Sequence, residues 1–148
     1  MKIKEISRPV IVPWDFSELA RKTLEQVLEL VDSREMVRVV HVTASPTAFE
    51  YGVVWDTITD DEIRSRVEQE FRKTVKGDRR LEGIHFVTLF GDPGSRICEY
   101  AGDEKAELIV MPSHGRTGFS HFLLGSVAER VVRLAPCPVL VMRETPQK

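Results

Sequence analysis

Short apolar runs alternate with helix-periodic segments along this chain, and that alternation constrains the fold more than any other feature. Arg8-Pro-Val-Ile-Val-Pro13, Val37-Arg-Val-Val-His-Val42, His85-Phe-Val-Thr-Leu-Phe90, Leu108-Ile-Val-Met111 and Pro138-Val-Leu-Val-Met-Arg143 read as five strands. Between the first two, Leu19, Leu24, Val27, Leu28 and Val31 recur with the period of a helix. Ile63, Val67, Phe71 and Val75 mark a second helical face, Ile97 and Ala101 a third, and Val127 to Val132 a fourth. Near-continuous apolar strands must be buried on both faces, so the pattern predicts an α/β fold with a parallel, doubly wound sheet. Such sheets bind ligands outside the carboxyl ends of their strands, at the point where strand order reverses. If the first and fourth strands are neighbours, Asp15 and the turn Pro112-Ser-His-Gly115 face one crevice.

Helix starts are written into the sequence. Ser17 can cap the first helix, with Glu18 in the favourable first turn. Thr59-Asp-Asp-Glu62 is a capping box, in which side chain and backbone satisfy each other's orphan N–H groups. Asp92 with Pro93 at the first helical position opens the third helix. The connection 44–58, carrying Phe49, Tyr51, Val53, Val54 and Trp55, is much longer than the usual loop of about 4–6 residues and reads as a lid or partner surface.

A chain of 148 residues is enough for one domain, taken as 1–148, with a core that needs no staples. Its 42% hydrophobic and 30% charged residues are ordinary for a globular protein. A formal net charge of -2 gives no reason to expect nucleic acid or an anionic membrane as partner. No apolar run approaches the roughly 20 residues that span a bilayer, and Met-Lys-Ile-Lys-Glu-Ile is too mixed for a signal peptide. Cytoplasm is the expected compartment. Cys98 and Cys137 lack metal-ligand spacing and read as buried free thiols. His85, His114 and His121 are too scattered for a metal site.

Chemistry concentrates near the C-terminus. Pro112-Ser-His-Gly115 follows the fourth strand, and nine residues later Gly125-Ser126 precedes a helix. Strand, glycine loop and helix N-terminus in that order form a phosphate cradle: small residues admit backbone N–H groups to an anion, and the helix dipole favours negative charge. Gly125-Ser126 alone is equally a plain helix start; its spacing from Gly115 is what raises it. Asp15 reads either as a cap or as a ligand group, and Ser17 already supplies a cap. Arg116 reads as a phosphate neutraliser or a solvated charge, and Trp14 as a base-stacking, pocket-narrowing ring or as packing. His114 has no orienting carboxylate that the sequence can name, and His41 reads as a satisfied core or rim histidine.

Together these residues resemble the universal stress protein family. The likeness runs from Val10-Ile-Val-Pro-Trp-Asp-Phe-Ser17 through Val39-Val-His-Val42 and Gly91-Asp-Pro93 to Ala135-Pro-Cys-Pro-Val-Leu-Val141. It is densest over Leu108-Ile-Val-Met-Pro-Ser-His-Gly-Arg-Thr-Gly-Phe-Ser-His-Phe-Leu-Leu-Gly-Ser-Val-Ala-Glu-Arg-Val131. The resemblance implies a five-stranded sheet in the order 3-2-1-4-5. It also implies a homodimer paired through the last strand, Val139 to Met142. Nucleotide-binding members carry G-x2-G-x9-G-S/T; laid on this chain, Gly115, Gly125 and Ser126 fit it, while Pro112 stands in place of the first glycine. Gly118 does not restore the spacing. By the same resemblance Asp15 meets the ribose or adenine side, the Val42 backbone reads the adenine edge and Pro13 lines the pocket. Met111 and Pro112 lie against base and sugar, and Gly115, Gly125, Ser126 and Val127 hold the phosphates.

Pro112 leaves three outcomes open. If a left-handed glycine is required there, the turn must be reshaped. If only an N–H is required, one hydrogen bond is lost, about 0.5–1.5 kcal/mol or roughly three- to tenfold in affinity. If no donor is used there, binding is unaffected. The intact phosphate half favours retained nucleotide binding. The expected function is a sensor or switch that binds ATP or a related adenine nucleotide, with magnesium held mainly by phosphates and water. It is expected to work without efficient catalysis and to act on a downstream protein partner that the sequence does not name. The alternatives are a nucleotide-free dimeric interaction module and a slow ATPase.

Overall fold

The computed structural model describes residues 6–44, 58–115 and 123–144. Most of the 44–58 connection, and Arg116, Gly118 and His121, lie outside them. In chain order the elements are β1 (Val10–Pro13), α1 (Glu18–Leu30), a 3₁₀ turn (Arg34–Met36), β2 (Val37–Thr43) and α2 (Asp60–Val75). There follow β3 (His85–Phe90), α3 (Pro93–Asp103), β4 (Leu108–Pro112), α4 (Ser126–Leu134) and β5 (Val139–Met142). The five strands form one sheet in the order β3-β2-β1-β4-β5 with every pairing parallel, the order implied by the resemblance.

Residues alternate between the two faces with the strand period of two. Val10, Val12, Val37, Val39 and Val110 join Leu24, Val27, Phe71 and Val75 under α1 and α2. Ile11, Val40, Ile109 and Met111 join Ile97, Ala101, Ala128 and Val131 under α3 and α4. Two half-cores on one sheet explain why its strands read as unbroken apolar runs.

The caps form as the sequence predicts. Ser17 Oγ accepts from the Ala20 N–H at 3.1 Å and Asp92 Oδ2 from the Ser95 N–H at 2.9 Å. The Ser95 backbone bond, ahead of the nearby Arg130, holds the Asp92 carboxyl below its ordinary pKa. At Thr59 the box is complete: its Oγ1 accepts from Glu62 N–H at 3.3 Å, and Glu62 Oε2 accepts from Thr59 N–H at 2.8 Å. Both cysteines are free thiols, Cys98 buried and Cys137 half-buried, and burial pushes both pKa values up. No helix among the described residues is long and apolar enough to cross a membrane.

Several strand ends differ from expectation: β2 runs on to Thr43, and β5 is confined to Val139–Met142 rather than Pro138 to Arg143. β1 starts at Val10 rather than Arg8, and just before it the Pro9 carbonyl accepts from the Glu107 N–H at 2.8 Å. β4 runs one residue further than the apolar pattern, so that Pro112 is its last residue, in register with Met142.

Candidate functional site

Adjacent β1 and β4 place the loops that follow them at one end of the sheet, and a cavity of about 430 Å³ opens there. Pro13, Asp15, Val42, Met111, Pro112, Gly115, Gly125, Ser126 and Val127 all border it. Residues drawn from β1, β2, β4 and α4, up to 114 positions apart (13 to 127), thus share one wall system. The sequence reading missed the third wall, formed by Pro93 and Ile97 of α3. The signal was present: α3 and α4 cover the same face of the sheet, so the first turn of α3 reaches the same end. Leu123 and Leu124, 70% and 42% exposed, form an apolar part of the rim.

Asp15 braces the turn before α1 and borders the cavity. Its Oδ1 accepts from the Ser17 N–H at 3.0 Å, which fixes the carboxylate, and Oδ2 has no hydrogen-bond partner among the described residues. Oδ2 would stand 2.9 Å from a Cβ at Gly115, so the glycine makes room for the carboxylate. Between Asp15 and Ser17 the backbone of Phe16 is left-handed, at φ 64°, which costs about 1–2 kcal/mol for a residue with a Cβ. In that conformation the Phe16 ring meets Trp14 and His41 edge-on, at 5.9 and 5.2 Å.

Of the two readings left open for Trp14, its ring takes the packing one. Trp14 borders the cavity but is only 3% exposed, and its ring packs edge-to-face on Phe71 at 5.2 Å, in the half-core under α1 and α2. Strand alternation puts that half-core on the far side of the sheet from the cavity's Met111 and Ile97. His41 is satisfied as expected, donating from Nδ1 to the Trp14 carbonyl at 2.8 Å.

α4 differs from the other three helices. Its N-cap is Gly125, and no side chain caps it, whereas Ser17, Thr59 and Asp92 cap α1, α2 and α3. The first intrahelical bond runs from Glu129 N–H to Gly125 O at 2.9 Å, so the N–H groups of Ser126, Val127 and Ala128 have no partner within the helix. All three residues border the cavity. The described lining contains no lysine or arginine, so partial positive charge there comes from these amides and the helix dipole.

Gly125 also closes the turn, donating to the Ser113 carbonyl at 2.7 Å. A Cβ there would stand 3.1 Å from both the Ser113 carbonyl oxygen and the His114 Cα, so any side chain would force the two backbones apart by a few tenths of an ångström. His114 borders the cavity with Nδ1 3.1 Å from Ser113 Oγ; no carboxylate pairs with it among the described residues. Nor do the described residues hold any group of three metal-ligating side chains.

Comparison with known proteins agrees with this fold. The profile of the Universal stress protein family matches residues 7–143. A universal stress protein of Methanocaldococcus jannaschii is 33% identical over 146 residues, covering 95% of this chain and 85% of that protein. A solved structure, that of the protein MJ0577, superimposes with a TM-score of 0.69 at 26% identity, covering 96% of this chain and 99% of that one. The universal stress protein of Archaeoglobus fulgidus in complex with dAMP has the same fold, with a TM-score of 0.62 at 23% identity over 93% of this chain and 99% of its own.

Proposed function

This chain belongs to the universal stress protein family, and from that premise we propose that it binds ATP or a related adenine nucleotide as a stress-responsive sensor or switch. One observation carries the reading: among the described helices α4 alone lacks a side-chain cap, and its first residues border the cavity that gathers all nine expected site residues. An anionic group satisfies amides in that position without needing a cationic side chain. The relative from Archaeoglobus fulgidus that holds dAMP supports an adenine nucleotide as the occupant.

In this reading the phosphates rest on Gly115, Gly125, Ser126 and Val127. The base lies against Met111, Pro13 and the Val42 backbone, and the sugar meets Asp15 and Pro112. Magnesium, where present, is held by phosphates and water, since carboxylates other than Asp15 do not border the described cavity. Turnover is slow, because no carboxylate orients His114 among the described residues and the His41 Nδ1 is already engaged by the Trp14 carbonyl. The protein works in the cytoplasm as a homodimer and passes its state to a downstream protein. β5 is an edge strand, and Leu140 on it with Val132 and Leu134 nearby leaves an apolar margin for a second copy to cover.

Thermal unfolding checks the reading. A ligand present at a hundred times its dissociation constant stabilises by about 2.7 kcal/mol, so millimolar ATP, ADP or AMP should raise the melting temperature by several degrees. No rise with any of the three, together with no nucleotide released on acid denaturation of the purified chain, contradicts it.

A further inference from the structure

Two helices share the work of shaping the cavity. α3 supplies the wall at Pro93 and Ile97, and α4 supplies its first turn, Ser126 to Ala128. Beneath them the pair packs through Ile97, Ala101, Ala128 and Val131. Towards solvent a polar clasp joins them. Arg130, one turn on from Ser126 in α4, reaches the start of α3: its Nε lies 3.0 Å from Asp92 Oδ2, and Nε and Nη2 donate to Ser95 Oγ at 3.2 and 3.0 Å. Asp92 Oδ2 also accepts from the Ser95 N–H at 2.9 Å, so one carboxylate both caps α3 and holds α4. Gly94 makes the contact possible. It is buried in the first turn of α3, although glycine is a poor helix former. A Cβ there would stand 2.7, 2.8 and 2.9 Å from Cδ, Cγ and Cβ of Arg130, closer than atoms pack, so its absence lets the arginine stem lie across the helix. A guanidinium beside the N-terminus of α3 runs against the helix dipole. Asp92 and Ser95, rather than the helix, hold it there.

We propose that Arg130 is a positioning residue for this site: through Asp92 and Ser95 it sets how far the first turn of α4 stands from the wall at Pro93 and Ile97, and so aims the α4 amides at the ligand. The inference rests on the reading that an adenine nucleotide occupies the cavity. It goes further in naming a pair of side chains outside the cavity lining on which affinity depends. The side chains of Arg130 and Asp92 are 51% and 54% exposed, so the pair itself adds little to stability. Its effect is on arrangement. A ligand that fits only the clasped form loses affinity in proportion to the fraction of chains in which the clasp is open, and an exposed pair shifts that fraction by up to about fivefold. A charge acting through space predicts the opposite pattern. If Arg130 simply attracted phosphates, neutralising Asp92 would tighten binding; as a clasp, the same change loosens it.

The experiment is calorimetric titration of ATP into the full chain, Arg130→Gln, Asp92→Asn and the double variant, with thermal unfolding of each. Asparagine caps a helix about as well as aspartate, so Asp92→Asn removes the ion pair and leaves the start of α3 in place. Each single variant should weaken ATP binding by about three- to fivefold. The double variant should be no weaker than either single, because the clasp is already open in both. Melting temperatures should stay close to that of the wild-type chain. Tighter or unchanged binding in Asp92→Asn overturns the positioning role, and so do single effects that multiply in the double variant. A lowered melting temperature with unchanged affinity makes the pair a structural tie only, and overturns it as well. Should Arg130→Gln not fold, the direction of the change in Asp92→Asn still decides. A wild-type chain that binds no ATP overturns the nucleotide reading, and this inference with it. Wild-type binding that the variants leave unaltered overturns this inference alone.

Discussion

Phe71→Ala lowers the unfolding free energy by about 3–5 kcal/mol, the cost of emptying a fully buried aromatic site. Phe71 has no exposed surface and is stacked on Phe86 with ring centroids 4.2 Å apart and planes 13° from parallel. On its other side it meets Trp14 edge-to-face at 5.2 Å. Each such aromatic pair adds about 0.5–1.5 kcal/mol beyond area burial. The dependence of α2 on this one side chain makes the effect large: of its 16 residues only Phe71 and Val75 are buried. The remaining face is charged and held by exposed i,i+3 and i,i+4 pairs such as Arg64–Asp61 and Arg72–Glu68, which contribute little. Against a typical total of about 5–15 kcal/mol the loss leaves a marginal protein. Urea unfolding followed by tryptophan fluorescence reads it out. A loss below about 1 kcal/mol would mean that α2 is anchored elsewhere.

Gly125→Val is expected to weaken the proposed nucleotide binding by more than about a hundredfold. The backbone at Gly125 is extended, φ -62° and ψ 155°, so the substitution meets no dihedral strain. What it meets is the preceding turn, because a Cβ falls 3.1 Å from the Ser113 carbonyl oxygen and the His114 Cα. The branched side chain of valine must push the two segments apart, opening the 2.7 Å bond from Gly125 N–H to Ser113 O. The amides of Ser126 and Val127 then move away from the phosphate position. Losing two hydrogen bonds to a charged group, at about 1.5–3 kcal/mol each, weakens binding by more than about a hundredfold. Overpacking also costs about 1–3 kcal/mol of stability, so the titration is made well below the variant's melting temperature. Unchanged ATP affinity in the folded variant would remove the cradle from the account.

Much of this fold was readable because it depends on local chemistry. Strands buried on both faces show as apolar runs, and the caps at Ser17, Thr59 and Asp92 are visible because a side chain must sit at a fixed offset from the N–H it satisfies. All nine expected site residues border one cavity because parallel β1 and β4 are neighbours, which strand order alone determines. Properties that depend on which way a group faces were not readable. Trp14 lies beside Asp15 in sequence, yet strand alternation sends its ring to the opposite half-core. Pro112 shows as a lost glycine in the sequence. Its strand backbone, and the orientation of its missing N–H toward β1 rather than β5, appear only once the Ser113–Met142 bond fixes the alternation. The wall from Pro93 and Ile97 needed the packing of α3 beside α4.

The most direct measurement is calorimetric titration of ATP into nucleotide-stripped protein, with and without magnesium. Saturable binding in the micromolar range, about -8 kcal/mol, at one site per chain is the predicted result. It would mean that the free amides of α4 hold an anion and that Pro112 is accommodated. No heat of binding up to millimolar ATP would contradict the account and leave the cavity to another ligand or to none.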